Sequence, residues 1–296
     1  MRVKRRTFLR NLSRAAVCLP AVSALSGLAA LAPRAARADR DISLFPAPQP
    51  GPYELNIRDY YTKMRHFDSP SEGDIVLNAE DHALLLSSLA RMERLIAVVG
   101  HANFCLLGFD DALQYARNYP SIGAFTPAEL EFLECQYYAD AAVYGFYGIK
   151  TLPHLTDTLP QPDAVKVPYS GNFLFAGHPH RTWLTIHKAL GDAVVLTSGV
   201  RGVMKQFHLF LNKAAQSNGN LSLASRSLAP PGYSFHGVGD FDVGQRGYGE
   251  ANFTSRFTET EVFRRLEDMG YLTLRYPREN RLGVRFEPWH VKVNQA

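Results

Sequence analysis

The last third of the chain contains residues that together could form a hydrolytic metal site. His236 and His290 are both present there, and Asp242 follows His236 by six positions. A catalytic zinc ion is bound by three protein ligands of the His or carboxylate type and keeps a fourth position for water. Because the chain can turn through Gly237 and Gly239, a loop histidine and a strand aspartate can converge on one ion. The three side chains therefore form a candidate zinc ligand set.

Two further residues have the chemistry that peptide hydrolysis needs. Glu287 stands three residues before His290, so it can lie beside the metal without binding it and act as general base toward an attacking water. Arg201 could stabilise the developing oxyanion or hold a substrate carboxylate, because a guanidinium donates paired hydrogen bonds to two oxygens. These residue types predict zinc-dependent peptide hydrolysis.

Four ordered motifs resemble those of the VanY-type D-alanyl-D-alanine carboxypeptidases, which are relatives of the VanX-type dipeptidases. The motifs are S-x-x-R at Ser198–Arg201, S-x-H-x-x-G at Ser234–Gly239, R-Y-P at Arg275–Pro277 and E-P-W-H at Glu287–His290. The resemblance extends over about residues 190–293. Four motifs in the same order are far more specific than any one of them.

The resemblance implies a role for each matched residue. It implies zinc binding by His236, an aspartate and His290, with Glu287 as catalytic base and Arg201 as a contact to the substrate or the transition state. Three polar residues are candidate substrate contacts: Ser198 and Ser234 of these motifs, and Gln206, which follows the first motif. The alternative interpretation makes the two serines turn residues and Gln206 a capping or solvent-facing residue of its helix.

The spacing of the aspartate departs from the family pattern. The family usually places this ligand seven residues after the histidine, whereas Asp242 stands at six and Asp240 at four. We favour Asp242, because the apolar Val243 after it matches the family and the difference fits a one-residue deletion after Gly239. Asp240 would point to the same face of a strand, so it stays as the alternative ligand.

The function implied by this resemblance is that of an exported Zn²⁺ D-alanyl-D-alanine carboxypeptidase acting on peptidoglycan stem peptides. An endopeptidase or a dipeptidase on the same scaffold is the nearest alternative. A protein of a different class, a non-catalytic cell-wall-binding protein with a degenerate zinc site, is favoured by the shortened spacing. The presence of Glu287 argues against it, because a purely binding site needs no general base.

The elements expected to position these residues are a mixture of helices and strands. Helical spacing of apolar residues begins at Asn78, and Thr126, Pro127 and Glu129 predict a helix start with a capping box. Further helices are expected near 111–118, 204–215 and 259–269, the last opened by Thr258, and strands at 194–197, 241–243, 271–275 and 286–293. The sequence predicts an α+β fold, in which a small antiparallel sheet flanked by helices follows a mainly helical part.

The start of the chain has the pattern of an export signal. Residues 1–38 contain eight basic residues and no acidic one, with an apolar stretch and an A-x-A end, which is typical of a secretory signal peptide. The Arg5–Arg10 stretch resembles the twin-arginine export motif, so we expect a periplasmic or exported protein. Without this segment 24 basic residues face 28 acidic ones, so the basic balance of the whole chain is no evidence for nucleic-acid binding. We also expect no stable membrane span after signal removal.

The remaining organisation follows from composition. Four prolines lie close together in 152–168, which indicates a connector. We therefore expect a signal peptide at 1–38, a mainly helical region at 39–165 and a VanY-like zinc peptidase domain at 166–296. Cys105 and Cys135 remain after signal removal and could form a disulfide or stay as free thiols.

Overall fold

The computed structural model describes residues 57–159, 163–271 and 274–293. The predicted signal peptide and its twin-arginine motif lie outside these residues. The described α-helices are α1 (Ile57–Arg65), α2 (Ala79–Val99), α3 (His101–Phe104), α4 (Phe109–Asn118), α5 (Pro127–Tyr138), α6 (His178–Leu190), α7 (Val203–Gln216), α8 (Leu221–Ser225) and α9 (Glu261–Asp268). The strands are β1 (Ala164–Lys166), β2 (Phe173–Phe175), β3 (Val194–Ser198), β4 (Phe241–Gln245) and β5 (His290–Val291). The α+β class is confirmed.

The largest core joins the early helices to α7. Helices α2, α4, α5 and α7 contribute buried apolar side chains to one cluster, among them Leu85, Met92, Ala112, Leu133, Phe207 and Phe210. Each fully buried side chain of the larger kind contributes about 1.5–3 kcal/mol. Helix α7 therefore packs on the helices that precede the connector, while its first turn follows the strand that carries Ser198. The domain boundary at residue 165 stays a prediction.

The second core lies under a three-stranded antiparallel sheet with the strand order β3-β4-β5. Phe241 and Val243 of β4 are fully buried in this core together with Trp183 and Leu266 of α6 and α9. Because successive side chains of a strand point to opposite faces, Asp242 projects away from this core. The alternation of β4 thus supplies one acidic side chain on the opposite face of the sheet.

Strand pairing places three of the candidate site residues side by side on that face. Asp242 is paired with Ser198 of β3 and with His290 of β5. The register between β3 and β4 shifts between Leu196 and Ser198, and β3 ends there. A two-stranded antiparallel sheet, β1-β2, lies next to the end of β3 in the fold, since the N–H of Val200 donates to the carbonyl of Phe173 at 2.8 Å.

Several expected elements are confirmed with small changes of length. Asn78 caps α2, and Thr126 with Glu129 forms the capping box of α5. Helix α9 is different, because Thr260 and not Thr258 is its N-cap. The hydroxyl of Thr258 instead donates to the carbonyl of Ser255 at 2.8 Å inside a short 3-10 helix.

The two last expected strands are shorter than predicted. Of 286–293, only His290–Val291 pairs as a strand. Pro288 has no N–H to donate, and the N–H of His290 bonds back to the carbonyl of Glu287 at 3.3 Å, so the chain turns before β5. Of 271–275, Leu274 forms an isolated bridge to Val291, and residues 272–273 lie outside the described residues.

Both described cysteines are free thiols, with Cys105 buried and Cys135 exposed. The disulfide alternative is therefore absent from this structure. Within the described ranges, no helix combines the length and the apolar character needed to cross a bilayer.

Candidate metal centre and active site

His236 is held with one ring nitrogen fixed and the other free. It lies in a short 3-10 helix, Phe235–Gly237, and its ring is buried. Its Nδ1 is 2.8 Å from the carbonyl oxygen of Gly199, and because a carbonyl only accepts, Nδ1 must donate. Nε2 then carries a free lone pair, and this buried atom has no hydrogen-bond partner among the described residues. Burial and the charge of Arg201 lower the pKa of His236, which favours the neutral ring.

Two glycines make this placement of His236 possible. A Cβ on Gly199 would collide with the carbonyl oxygen of Phe173, so only glycine lets the chain pass there and present its carbonyl to His236. Gly239 has φ of 125°, a region that L side chains rarely adopt. The chain can therefore reverse between His236 and the start of β4.

Asp242 lies between the two histidines. Its Oδ1 is 3.3 Å from Nε2 of His236 and 3.2 Å from Nδ1 of His290. This oxygen is buried, and although both ring nitrogens contact it, no described residue gives it a hydrogen bond of good geometry. Burial alone would raise the pKa of Asp242, but its interactions with His236 and with the Arg201 guanidinium hold it well below its usual range. Asp242 is therefore ionised, as a metal-binding carboxylate must be.

His290 uses its two ring nitrogens toward two different aspartates. Nδ1 faces Asp242, while Nε2 lies 3.0 Å from Oδ2 of Asp240. Burial alone would lower the pKa of His290, but the contacts with Asp240 and Asp242 raise it to about 9. A metal ion bound at Nδ1 would therefore have to displace a proton.

Three side chains have the geometry of a metal site and are called the His–Asp–His cluster: His236, Asp242 and His290. One ligand atom from each of the three buried residues lies within 4.8 Å of the other two. Nε2 of His236 and Oδ1 of Asp242 are both buried without a hydrogen bond. The desolvation of such atoms destabilises the fold unless a ligand such as a cation binds them. Two imidazoles and one carboxylate are donors of the type that zinc prefers in catalytic sites. The cluster fits a zinc ion.

Asp240 lies behind His290 and outside the cluster. Besides His290, its Oδ2 accepts from Nε of Arg275 at 2.8 Å, and its Oδ1 accepts from the N–H of Val293 at 2.9 Å. Both oxygens are therefore occupied. Asp240 precedes β4, so the strand alternation that would put it on the face of Asp242 does not reach it.

Glu287 stands beside the cluster without joining it. Its Oε2 lies 3.8 Å from Nδ1 of His290, and the carboxyl group forms no hydrogen bond with any residue that the structure describes. Burial raises the pKa of Glu287 to about 7. A carboxyl group with a pKa near neutrality can both accept and return a proton.

Arg201 contacts the cluster through Asp242. Its Nη2 donates to Oδ2 of Asp242 at 2.6 Å, and its Nε donates to the hydroxyl of Ser198 at 2.8 Å. In this arrangement Ser198 holds the guanidinium, and Oδ1 of Asp242 is left for the cluster. The S-x-x-R motif thus brings Ser198 and Arg201 together with Asp242.

Gln206 and Ser234 are not brought to the cluster by any described contact. Gln206 is buried on α7, and its Nε2 donates to the carbonyl of Ala229. Ser234 is buried immediately before the 3-10 helix of His236, and its carbonyl accepts from the hydroxyl of Thr151 at 2.9 Å. Their role as substrate contacts stays a prediction.

The family comparison agrees with the location of this cluster. The profile of the VanY family, the D-alanyl-D-alanine carboxypeptidases, matches residues 183–294. Residues 183–294, the VanY segment, therefore resemble this family. All three residues of the His–Asp–His cluster, together with Arg201 and Glu287, lie within this VanY segment. No curated protein matches the chain.

Solved structures similar to this chain match less than half of it. The LdcB LD-carboxypeptidase, whose structure concerns peptidoglycan recognition, is 23% identical with a TM-score of 0.37, covering 44% of this chain and 63% of its own. A variant of the vancomycin resistance D,D-pentapeptidase VanY in complex with Zn(II) is 23% identical with a TM-score of 0.36, covering 44% and 77%. VanYB in complex with D-alanine-D-alanine has the same identity and TM-score and covers 44% and 76%. The chain spans less than two thirds of the LdcB chain.

Two residues of the VanY segment support His290 but were given no role by sequence reasoning. Arg275 binds Asp240, with Nη2 2.7 Å from Oδ2. The buried ring of Tyr276 packs edge-on against His290 with centroids 5.5 Å apart. The R-Y-P motif was the sequence signal for both, but a motif match does not reveal that they act through His290.

Proposed function

We propose that the chain is a zinc-dependent D-alanyl-D-alanine carboxypeptidase that hydrolyses the terminal peptide bond of peptidoglycan stem peptides. The observation that carries this proposal is the pair of buried, unpartnered atoms, Nε2 of His236 and Oδ1 of Asp242, which face Nδ1 of His290. Glu287 at 3.8 Å from that nitrogen adds a proton acceptor. The VanY family of the segment gives the reaction class.

His236 and His290 would hold the zinc ion through Nε2 and Nδ1, and Asp242 through Oδ1. When bound there, zinc supplies Lewis acidity and lowers the pKa of a bound water to about 7. Glu287 accepts a proton from the attacking water as the C–O bond forms, and then gives it to the amine nitrogen as the C–N bond breaks. Its raised pKa suits both transfers.

Arg201 makes carboxypeptidase action the favoured specificity. A guanidinium can bind the free carboxylate of a terminal D-alanine or the developing oxyanion. An internal peptide bond has no such carboxylate. Arg201 already donates to Asp242 and Ser198, so its remaining N–H groups are aimed by these contacts, and little conformational entropy is lost when a substrate arrives.

The distance between Asp242 and His236 argues against the binding-protein alternative, which rested on the short spacing between these two residues in the sequence. Asp242 lies 3.3 Å from His236 despite the missing residue. Endopeptidase or dipeptidase action stays an alternative within the same site. We propose export as the localisation, because peptidoglycan lies outside the cytoplasmic membrane and the twin-arginine resemblance of Arg5–Arg10 is consistent with it.

The test combines metal content with product analysis. The purified chain without residues 1–38 is expected to contain one zinc ion per molecule by elemental analysis and to release D-alanine from a muramyl pentapeptide, detected by mass spectrometry. The same peptide with a C-terminal carboxamide is expected to be cleaved much more slowly. Absence of bound zinc would contradict the proposed zinc site, and bound zinc without cleavage would favour the binding-protein alternative. Equal cleavage of acid and amide would favour an endopeptidase.

A further inference from the structure

An open hollow of about 850 Å³ lies directly beside the E-P-W-H motif. Its lining includes Arg65, Phe67, Arg278, Arg285 and Phe286. Phe286 is the residue before Glu287, and consecutive Cα atoms are 3.8 Å apart, so the lining of the hollow continues along the chain into the proposed active site. Ligand pockets usually measure about 300–1,000 Å³. This one has room for several peptide residues, far more than one alanine.

Arg285 is the most unusual residue of this lining. Its guanidinium lies over two aromatic rings, 4.8 Å from the centroid of Phe67 and 4.9 Å from that of Trp289. Its Nε is buried without a hydrogen-bond partner, and no carboxylate of the described chain forms an ion pair with it. The aromatic faces stabilise the cation in part, but a desolvated guanidinium gains most from a carboxylate that it can bind with two parallel hydrogen bonds.

The charges around the hollow have one dominant sign. Arg65, Arg278 and Arg285 line it, and Glu279 is the acidic residue of the lining. The guanidinium of Arg278 lies 4.1 Å from the centroid of Phe286, so two arginines of the lining are positioned on aromatic rings. An excess of positive charge in a concave site raises the local concentration of anionic ligands.

We propose that this hollow binds the acidic part of the substrate peptide, with Arg285 pairing a free carboxylate on the amino-terminal side of the scissile bond. The inference rests on the proposed function, which fixes the direction. A carboxypeptidase places a single residue beyond the scissile bond, so a hollow larger than one residue must receive the other side of the peptide. An extended chain advances about 3.3–3.6 Å per residue, so a carboxylate two or three residues away reaches Arg285 from a bond held at Glu287.

The test measures binding without cleavage. The zinc-loaded Glu287→Gln chain is titrated, by fluorescence polarisation, with a labelled peptide that ends in D-Ala-D-Ala and carries one acidic residue three positions before the scissile bond. The matched peptide carries a carboxamide in place of that carboxylate. We expect the acidic peptide to bind about tenfold more tightly, and this preference to fall below about twofold when Arg285→Gln is added.

Matched variants keep the result interpretable. Arg281→Gln removes the same charge four residues earlier on an exposed side chain that does not line the hollow, and it should retain the preference. Arg285→Lys keeps the charge without the planar fork and should retain part of it, which provides a second variant if Arg285→Gln does not fold. Equal binding of the two peptides by the parent chain, or an unchanged preference in Arg285→Gln, overturns the proposal.

The cleaving chain gives an independent readout. With Glu287 intact, Arg285→Gln is expected to raise KM about tenfold for the acidic peptide and less than about twofold for the carboxamide peptide, and to change kcat equally for both. A fall in kcat alone would contradict a binding role. If the intact chain releases no D-alanine while the binding preference persists, the proposed reaction fails and this peptide site does not.

Discussion

Asp242 and His290 are cross-strand partners on β4 and β5, and Oδ1 of Asp242 lies 3.2 Å from Nδ1 of His290. Directly paired residues of antiparallel strands have their side chains on the same face and within reach of each other. Sheet pairing therefore brings two of the three candidate ligands together. The third, His236, is oriented by the carbonyl of Gly199, which follows directly on β3.

Asp242→Asn should abolish tight zinc binding. The substitution keeps the shape and lets the new side chain accept from Arg201, but it removes the negative charge at the oxygen between the two histidines. We expect the zinc affinity, measured by competition with a chelator, to fall by more than roughly 100-fold, beyond what loss of an outer-shell partner costs. Retention of wild-type affinity would exclude Asp242 as a ligand and return Asp240 to consideration.

Asp240→Asn should weaken zinc binding by an intermediate amount. Asp240 contacts Nε2 of His290 and is itself held by Arg275, so its carboxylate orients the ring and increases its basicity. Loss of such a partner typically costs about 10–100-fold in metal affinity. The chelator competition is compared with the thermal stability of the metal-free variant, so that a general loss of structure is recognised. An affinity equal to that of the wild-type chain contradicts this positioning role.

The sequence was sufficient to find the cluster but not to choose between the two aspartates. His236, His290 and Glu287 follow from residue types and motif spacing, whereas the choice between Asp240 and Asp242 depends on where β4 begins. That start is set by pairing with β3 and β5, which are distant in the sequence. The alternation argument applies only inside a strand, and Asp240 lies one residue before Phe241.

The ends of helices and strands are likewise predictable from the sequence only where the residues that define them are close together in the chain. Thr126 and Glu129 identify the start of α5 because both halves of a capping box are adjacent in the sequence. Thr258 and Thr260 are equally suitable N-caps by residue type, but Thr258 lies inside the 3-10 helix Ser255–Glu259 and so does not cap α9. The extent of β5 depends on the turn at Pro288 and on its partner Phe241–Asp242. Long-range packing decides such boundaries.

Glu129→Gln should destabilise the helical part in a pH-dependent way. Arg91 donates to Glu129 through Nε at 3.0 Å and Nη2 at 3.2 Å, and the N–H of Thr126 donates at 2.8 Å. Burial alone would raise the pKa of Glu129, but these donors lower it. A lowered folded-state pKa stabilises the fold above the unfolded-state pKa of about 4.3, and this contribution is lost as pH falls below it.

The expected loss at pH 7 is about 1–3 kcal/mol in the free energy of unfolding, measured by urea denaturation. The difference between Glu129→Gln and wild type should shrink as pH falls from about 4.3 toward the lowered folded-state pKa, because the unfolded wild-type chain takes up the proton first. Glu131→Gln, on the exposed face of the same helix, serves as control and should change stability by less than about 0.5 kcal/mol. A difference that is constant with pH would show that the charge of Glu129 does not matter.

Glu287→Gln should separate metal binding from catalysis. The carboxyl group lies 3.8 Å from His290 and outside the His–Asp–His cluster, so the variant should retain one zinc ion per chain. Loss of a general base typically lowers the rate by about 10²–10⁴-fold, and we expect that fall in kcat for D-alanine release with little change in KM. Glu267→Gln, an exposed residue on α9, should retain wild-type kcat and zinc. Full activity of a zinc-loaded Glu287→Gln chain would remove Glu287 from the reaction, whereas loss of zinc would make it a ligand.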